Sequence, residues 1–275
     1  MVQPEALFVP LSQGRRFCIR YAGREGSENR ATVLYVHPFA EEMNKSRRMA
    51  ALQARALAAA GWTVLQIDLF GCGDSDGDFG EASWQRWVAD IVEAGEWLVR
   101  QGSRATCLWG LRVGCLLACE AAERISPTPD LLLWQPALSG RQSLQQFLRL
   151  KVTSQMLAAE VTDRMGVQQL RERLDAGEKV EVAGYMLSPA LAVGLDAAEL
   201  RAPAPAARTA WLEVTASAPP ELSPAARMKI DGWQTEGRRV HAAAVVGPAF
   251  WQTQEIAECA PLVDATLGAV GAWKP

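Results

Sequence analysis

The sequence predicts an α/β protein: a mostly parallel central sheet with helices on both faces, interrupted once by a helical insertion. Three observations carry that expectation. Short apolar runs of strand length alternate with longer stretches whose apolar residues recur at helical spacing. Several of the short runs are almost continuously apolar, the mark of strands covered on both faces. The alternation breaks over residues 141–206 and then resumes. With 275 residues, 49% of them hydrophobic, the chain can bury a full core as one large domain.

In chain order, "ALFVPL" and "RRFCIRYA" flank "SQG" and read as an opening β-hairpin. "ATVLYVHPF" is the third strand. "SRRMAALQARALAAAG" follows as a helix, with Met49, Leu52, Ala56 and Leu57 on one stripe, Ser46 as N-cap and Gly61 as stop. "WTVLQID" is a strand, and "SWQRWVADIVEAGEWLVRQG" a helix with Trp84, Trp87, Ile91 and Leu98 inward. "TCLWG", "VGCLLACEAAERI" and "DLLLWQP" give strand, helix, strand. After the insertion, "ARTAWLEV", "SPAARMKIDGWQTEG", "RVHAAAVVG" and "TQEIAECAPLVDATLGAV" give strand, helix, strand, helix. The expected division is a core of residues 1–140 and 207–275, with 141–206 as a helical cap over the strand ends, built from "SLQQFLRLKVTSQMLAAEV" and "VQQLRERLDAG" and closed by a Pro/Ala connector.

Composition narrows the function classes. A formal charge of −3 leaves no electrostatic footprint for nucleic acid. No apolar run approaches the ~20 residues of a membrane span, and the N-terminus lacks the basic start and apolar stretch of a signal peptide. Six cysteines are scattered without paired-ligand spacing, so free thiols in a reducing cytoplasm are the expectation. In "GCGDSDGDFG", Asp74, Asp76 and Asp78 alternate with glycines, but the ligand spacing and terminal glutamate of a calcium loop are missing. Turn chemistry is the expected role. No metal or cofactor is expected.

Ligands of open parallel sheets bind beyond the carboxyl ends of the strands. At that edge the fifth strand runs into "GLRVG", the G-x-S-x-G pattern with Arg112 in the serine's place. Strand count, this turn and the insertion point resemble the α/β-hydrolase superfamily, where the turn exposes a nucleophilic serine. The resemblance implies the turn but not its chemistry. A guanidinium stays protonated and has no lone pair for attack. The histidine would belong after the last strand, where "GPAFWQ" has none, and His241 lies at that strand's start. The acid would follow the seventh strand, where "TASAPP" holds neither Asp nor Glu.

What remains is Arg112 with Glu41, Glu42, Asn44 and Arg47 in the loop after the third strand. A cation at a helix N-terminus opposes the helix dipole and needs compensation, which Glu41 or Glu42 would supply. One account is therefore a structural ion pair plugging an unused pocket. The other is a ligand-binding arginine, a seat for carboxylate or phosphate. Cys72 and His37 offer a thiol–imidazole pair, against the simpler roles of structural cysteine and loop-shaping histidine. Trp251, Gln252 and Gln254 open the final helix and would line the pocket, or "TQE" simply caps that helix.

Within the superfamily the chain resembles one branch, the exosortase A system-associated hydrolases of type 2. The resemblance rests on "PFAEEMNKSRRM", "QIDLFGCGDSDGDF", "LWGLRVG", "LLLWQPALSG", "QFLRLK", "EVAGY" and "FWQTQEI", spanning about residues 38 to 256. It implies a bacterial protein of loci for exopolysaccharide production and protein sorting. In that family a second proline commonly stands at the place of His37. Three functions follow as expectations. The first is a binding or accessory protein with Arg112 anchoring an anionic group, such as that of a saccharide or lipid-linked intermediate. The second is a hydrolase or transferase acting on esters or saccharides, with Glu41 or Glu42 as base and Arg112 stabilising developing charge. The third is a docking role toward exosortase-locus proteins.

Overall fold

The computed structural model describes residues 3–23, 31–103, 105–157, 165–271 and 273. The chain opens with the hairpin β1 (Pro4–Leu11) and β2 (Gly14–Tyr21), paired through Leu11 and Gly14. Strands and helices then alternate: β3 (Ala31–Val36), α1 (Glu41–Ala59), β4 (Thr63–Ile67), α2 (Trp84–Arg100), β5 (Ala105–Leu111), α3 (Val113–Ala122) and β6 (Asp130–Trp134). Next come α4 (Gly140–Leu157), α5 (Val167–Asp175), a two-stranded hairpin of β7 (Val180–Val182) and β8 (Tyr185–Leu187), and α6 (Pro189–Ala197). The chain then returns to the sheet with β9 (Arg208–Thr215), α7 (Pro224–Thr235), β10 (Arg239–Val246) and α8 (Ala260–Gly271).

The main sheet has eight strands in the order β1-β2-β4-β3-β5-β6-β9-β10. Only β1 and β2 run antiparallel to their neighbours; β4, β3, β5, β6, β9 and β10 are mutually parallel. Every residue of β3 is buried, because alternate side chains feed opposite layers. Leu34 and Val36 join Leu108, Trp87 and Ile91 on the face of α2 and α3. Val33 and Tyr35 join Trp109, Leu57 and Leu262 on the face of α1 and α8. The amphipathic stripe of α2 is buried as the sequence predicts, at Trp84, Trp87, Ile91 and Leu98, and Ser83 caps it by accepting from Arg86 N–H.

Three boundaries differ from expectation. Helix α1 begins at Glu41, not near Ser46; its N-cap is Ala40, at φ 50° and ψ −123°. Ser46 is buried inside the helix, its hydroxyl unpartnered among the described residues. The paired Glu41 and Glu42 were the stronger start signal, since first-turn carboxylates meet the positive end of the helix dipole. Helix α8 begins at Ala260 rather than near Thr253. Pro261 explains this: it suits a first turn but would remove a hydrogen bond from a helix interior. Between β6 and β9 the chain forms helices as expected, but also the β7–β8 hairpin, turned at Ala183 and Gly184 with φ of 50° and 83°. Here α4 packs on α3, α5 and α6, and α6 on α2. Residues 158–161, read as the tail of the first insertion helix, lie outside the described residues. Among the described residues no helix is long and apolar enough to cross a membrane.

Candidate functional site

The backbone turns sharply where β5 meets α3. Arg112 is the N-cap of α3, at φ 56° and ψ −118°, a left-sided conformation that costs a non-glycine residue roughly 1–3 kcal/mol. The neighbours make the turn possible. A Cβ at Gly110 would sit 2.6 Å from the Cys115 Cα, and one at Gly114 would sit 2.4 Å from the Val36 carbonyl oxygen. Hydrogen bonds fix the tip: Arg112 N–H donates to Trp134 O at 3.0 Å, and Arg112 O accepts from Cys115 and Ala137 N–H. Opposite, the loop from β3 into α1 passes through Ala40, likewise at positive φ. The two strained caps bring Arg112, on one helix start, to Glu42, on the other.

Arg112 Nε donates to Glu42 Oε1 at 3.4 Å, and its guanidinium carbon stands 5.7 Å from the centre of the Trp251 ring. Among the described residues its two terminal nitrogens have no hydrogen-bond partner. Arg112 and Glu42 both line a cavity of about 280 Å³ at the strand ends. Glu41 lines it too, but pairs with Lys45 at 3.6 Å. Burial pushes the Glu42 carboxyl above the ordinary carboxylate range, with Arg112 the main opposing influence. The remaining wall combines Phe39, Val113, Phe147 and Leu150 with Ser143, Gln146 and Gln252. Phe39 and Phe147 meet edge to face at 5.0 Å. Beneath the elbow, Tyr35, Trp109, Trp134, Phe250 and Trp251 form an unbroken aromatic chain with centroid separations of 4.4, 4.6, 6.1 and 5.0 Å.

The structure thus brings together Arg112, Glu41, Glu42, Trp251 and Gln252, and not the other residues singled out from sequence. His37 is buried away from the cavity: Nδ1 bonds Pro38 O at 2.8 Å, and Nε2 accepts from Leu69 N–H at 3.3 Å. That pattern places the proton on Nδ1, and burial lowers the imidazole's basicity. His37 ties two loops together, and neither ring nitrogen is left for Cys72. Cys72 borders a separate cavity of about 130 Å³ with Asn44 and Tyr185, and burial raises its thiol far above the reactive range. Asn44 Nδ2 donates to Tyr185 Oη at 3.2 Å, binding α1 to the β7–β8 hairpin. Gln254 is exposed in the segment before α8 rather than in a helix. Asp78 accepts from Gly80 N–H within its own turn, whereas Asp76 accepts from Arg15 N–H and ties that loop to β2.

His241 is exposed near the amino end of β10, across the sheet from Arg112. Two acids near the end of β9 are already engaged. Glu213 accepts from Ser223 N–H at 2.7 Å and from Trp211 Nε1 at 3.2 Å, and Glu221 pairs with Arg227. Sequence reasoning missed Lys45, Ser143, Gln146 and Phe147. The last three lie on α4, inside the stretch "SLQQFLRLKVTSQMLAAEV" that the sequence marks as an insertion helix, with no pocket role attached to any of them.

A mostly parallel eight-stranded sheet, helices on both faces and a strand–elbow–helix turn beside a cleft at the strand ends define the α/β-hydrolase fold. Solved structures agree. The chain is similar to the ferulic acid-bound Est1E from Butyrivibrio proteoclasticus, at 12% identity and TM-score 0.66, covering 97% of this chain and 100% of that one. It is similar to XC6422 from Xanthomonas campestris, an a/b serine hydrolase without lid, at 15% identity and TM-score 0.59, covering 99% and 96%. It also resembles alpha/beta hydrolase domain-containing protein 10 from mouse, at 13% identity and TM-score 0.56, covering 98% of each chain. At such identities the likeness is one of fold. No functionally curated protein matches the sequence. The family is nevertheless plain: the chain belongs to Hydrolase_4 (serine aminopeptidase, S33), whose model matches residues 27–177.

Proposed function

We propose that the cleft at Arg112 binds a small anionic ligand, and that this chain is a non-catalytic, accessory member of its family. The reading includes the exosortase A system-associated type that its motifs resemble, cytoplasmic placement, and service to locus partners or to a saccharide or lipid-linked intermediate. One observation carries it. The guanidinium at the elbow is held through Nε alone, with its terminal nitrogens unpartnered among the described residues and a cavity beside it. A guanidinium offers a carboxylate or phosphate two parallel hydrogen bonds and supplies no nucleophile. Val113, the first residue of α3, lines the same cavity, which puts the positive end of that helix beside it. The segment 141–206 acts as a cap, closing the cavity through Phe147 and Leu150 of α4.

A second reading is favoured by one specific feature, the raised affinity of the Glu42 carboxyl for a proton. In that reading Glu42 takes the proton of an attacking water while Arg112 stabilises the developing oxyanion; Glu41, without a contact to Arg112 among the described residues, stands 3.6 Å from Lys45. Fluorophosphonate labelling and p-nitrophenyl ester turnover separate the two. The binding reading expects neither label nor turnover. Label on any cleft residue refutes it, and turnover that Glu42→Gln abolishes establishes the second.

A further inference from the structure

Among the described residues the cavity holds two cations and two anions, and both pairs are loose. Lys45 stands 3.6 Å from Glu41, and Arg112 offers Glu42 one contact of 3.4 Å through Nε, which leaves its terminal nitrogens for a ligand. Among the described residues, the charged or titratable groups that bear on Glu42 are Arg112 from the elbow, Glu41 and Lys45 from α1, and Tyr35 from β3. From α4 and from the segment after β10, the polar groups at the cavity are uncharged: Ser143, Gln146 and Gln252. An arriving anion therefore shares one guanidinium with Glu42 and turns a balanced site into one with an excess negative charge. Burial already favours the protonated form of Glu42, and Arg112 is the main influence opposing it. Once a ligand engages Arg112, a solvent proton on a Glu42 carboxylate oxygen restores neutrality. One proton balances one charge, so the site suits a monoanion better than a dianion. Beside the charged pair, Phe39, Phe147, Val113 and Leu150 offer apolar side chains for a tail, and the other uncharged groups there are Ser143, Gln146 and Gln252.

Resting on the reading of Arg112 as an anion seat, we propose that the ligand class is a monocarboxylate with an apolar tail, and that Glu42 takes up one proton as it binds. The carboxylate bridges the terminal nitrogens of Arg112, and the tail lies against Phe147 and Phe39. No covalent bond changes; the only transfer is of a proton from solvent to Glu42.

Isothermal titration of the full chain with hexanoate, acetate and inorganic phosphate tests this, in buffers of differing ionisation enthalpy from pH 6 to pH 8. Hexanoate is expected to bind about tenfold or more tighter than acetate, from the apolar area its tail buries, and tighter than phosphate. Its binding should take up close to one proton above the titration of Glu42 and weaken toward about tenfold per pH unit there. Glu42→Gln should bind hexanoate at pH 8 without proton uptake, and Phe147→Ala should lose the preference for hexanoate over acetate. If phosphate matches hexanoate, or if hexanoate binds without proton uptake, this inference is overturned while the anion seat stands. If none of the three anions binds the wild type or Glu42→Gln, both fall.

Discussion

Gly114 is the residue on which the geometry of the elbow turns, and replacing it with alanine tests how rigidly the site is held. The new Cβ would stand 2.4 Å from the Val36 carbonyl oxygen and 2.6 Å from that of His37, both backbone atoms. Ordinary contact begins at 3.4 Å, so the start of α3 must move about 1 Å from the end of β3. Forcing such a shift in a packed interior costs about 1–3 kcal/mol, and each kcal/mol lowers the melting temperature of a domain near this size by roughly 2–4 °C. The expected loss is thus about 2–12 °C by calorimetry. Because the Arg112–Glu42 bond is already 3.4 Å long, the same shift should weaken anion binding. Gly232 is the control. It lies in the exposed interior of α7 with nothing within 4 Å of the added Cβ, so Gly232→Ala should stabilise by about 0.5–1 kcal/mol. A Gly114→Ala protein melting within a degree of wild type would refute the reasoning, as would Gly232→Ala falling as far as Gly114→Ala.

The remaining predictions concern charge and thiols. Arg16 and Asp90 form a fully buried bidentate pair, both bonds 2.7 Å, and Asp90 also accepts from Phe70 N–H. Arg16→Met or Asp90→Leu alone should each cost about 3–5 kcal/mol in denaturant melts, and the two combined much less than their sum; additive losses would disprove the coupling. The Glu42 carboxyl binds its proton more tightly folded than unfolded. Its contribution to stability is therefore full at low pH and is lost as pH rises from the ordinary carboxylate value through the raised one. Across that window the melting temperature of the wild type should fall relative to Glu42→Gln; a constant gap would contradict this. All six cysteines are buried, and burial raises Cys18 and Cys119 to about 12. Native protein at pH 8 should resist an aromatic disulfide reagent over minutes and release six equivalents in guanidinium; fast labelling of Cys72 in the native state would count against its assignment as structural.

Much of the fold was legible because burial on both faces leaves a plain signature. Runs such as "ATVLYV" are too short and too apolar to be anything but central strands, and Trp84, Trp87, Ile91 and Leu98 mark one helical face. The errors fell where tertiary geometry overrode local preference. Ser46 has the chemistry of a cap, but the β3–α1 turn is set by Ala40 in a positive-φ conformation that no cap rule anticipates. The β7–β8 hairpin has three residues per strand, too few for a period of two to declare itself. At the site, "GLRVG" specified the elbow because both glycines are sterically required, whatever the tip residue is. The sequence also offered both Glu41 and Glu42 as partners for Arg112 without choosing between them. The choice is made by helix phase: adjacent residues on α1 point about 100° apart, so Glu42 faces the elbow while Glu41 meets Lys45 one turn along its own helix. The α4 wall was out of reach for a different reason. Phe147 lies in a segment whose docking on the core depends on packing against α3 and α6, and no local pattern encodes which face of such a helix overlooks a cleft. The part of the site that the backbone turn dictates could be read in the sequence, whereas the part that selects a ligand, the apolar wall on α4, required the packed structure.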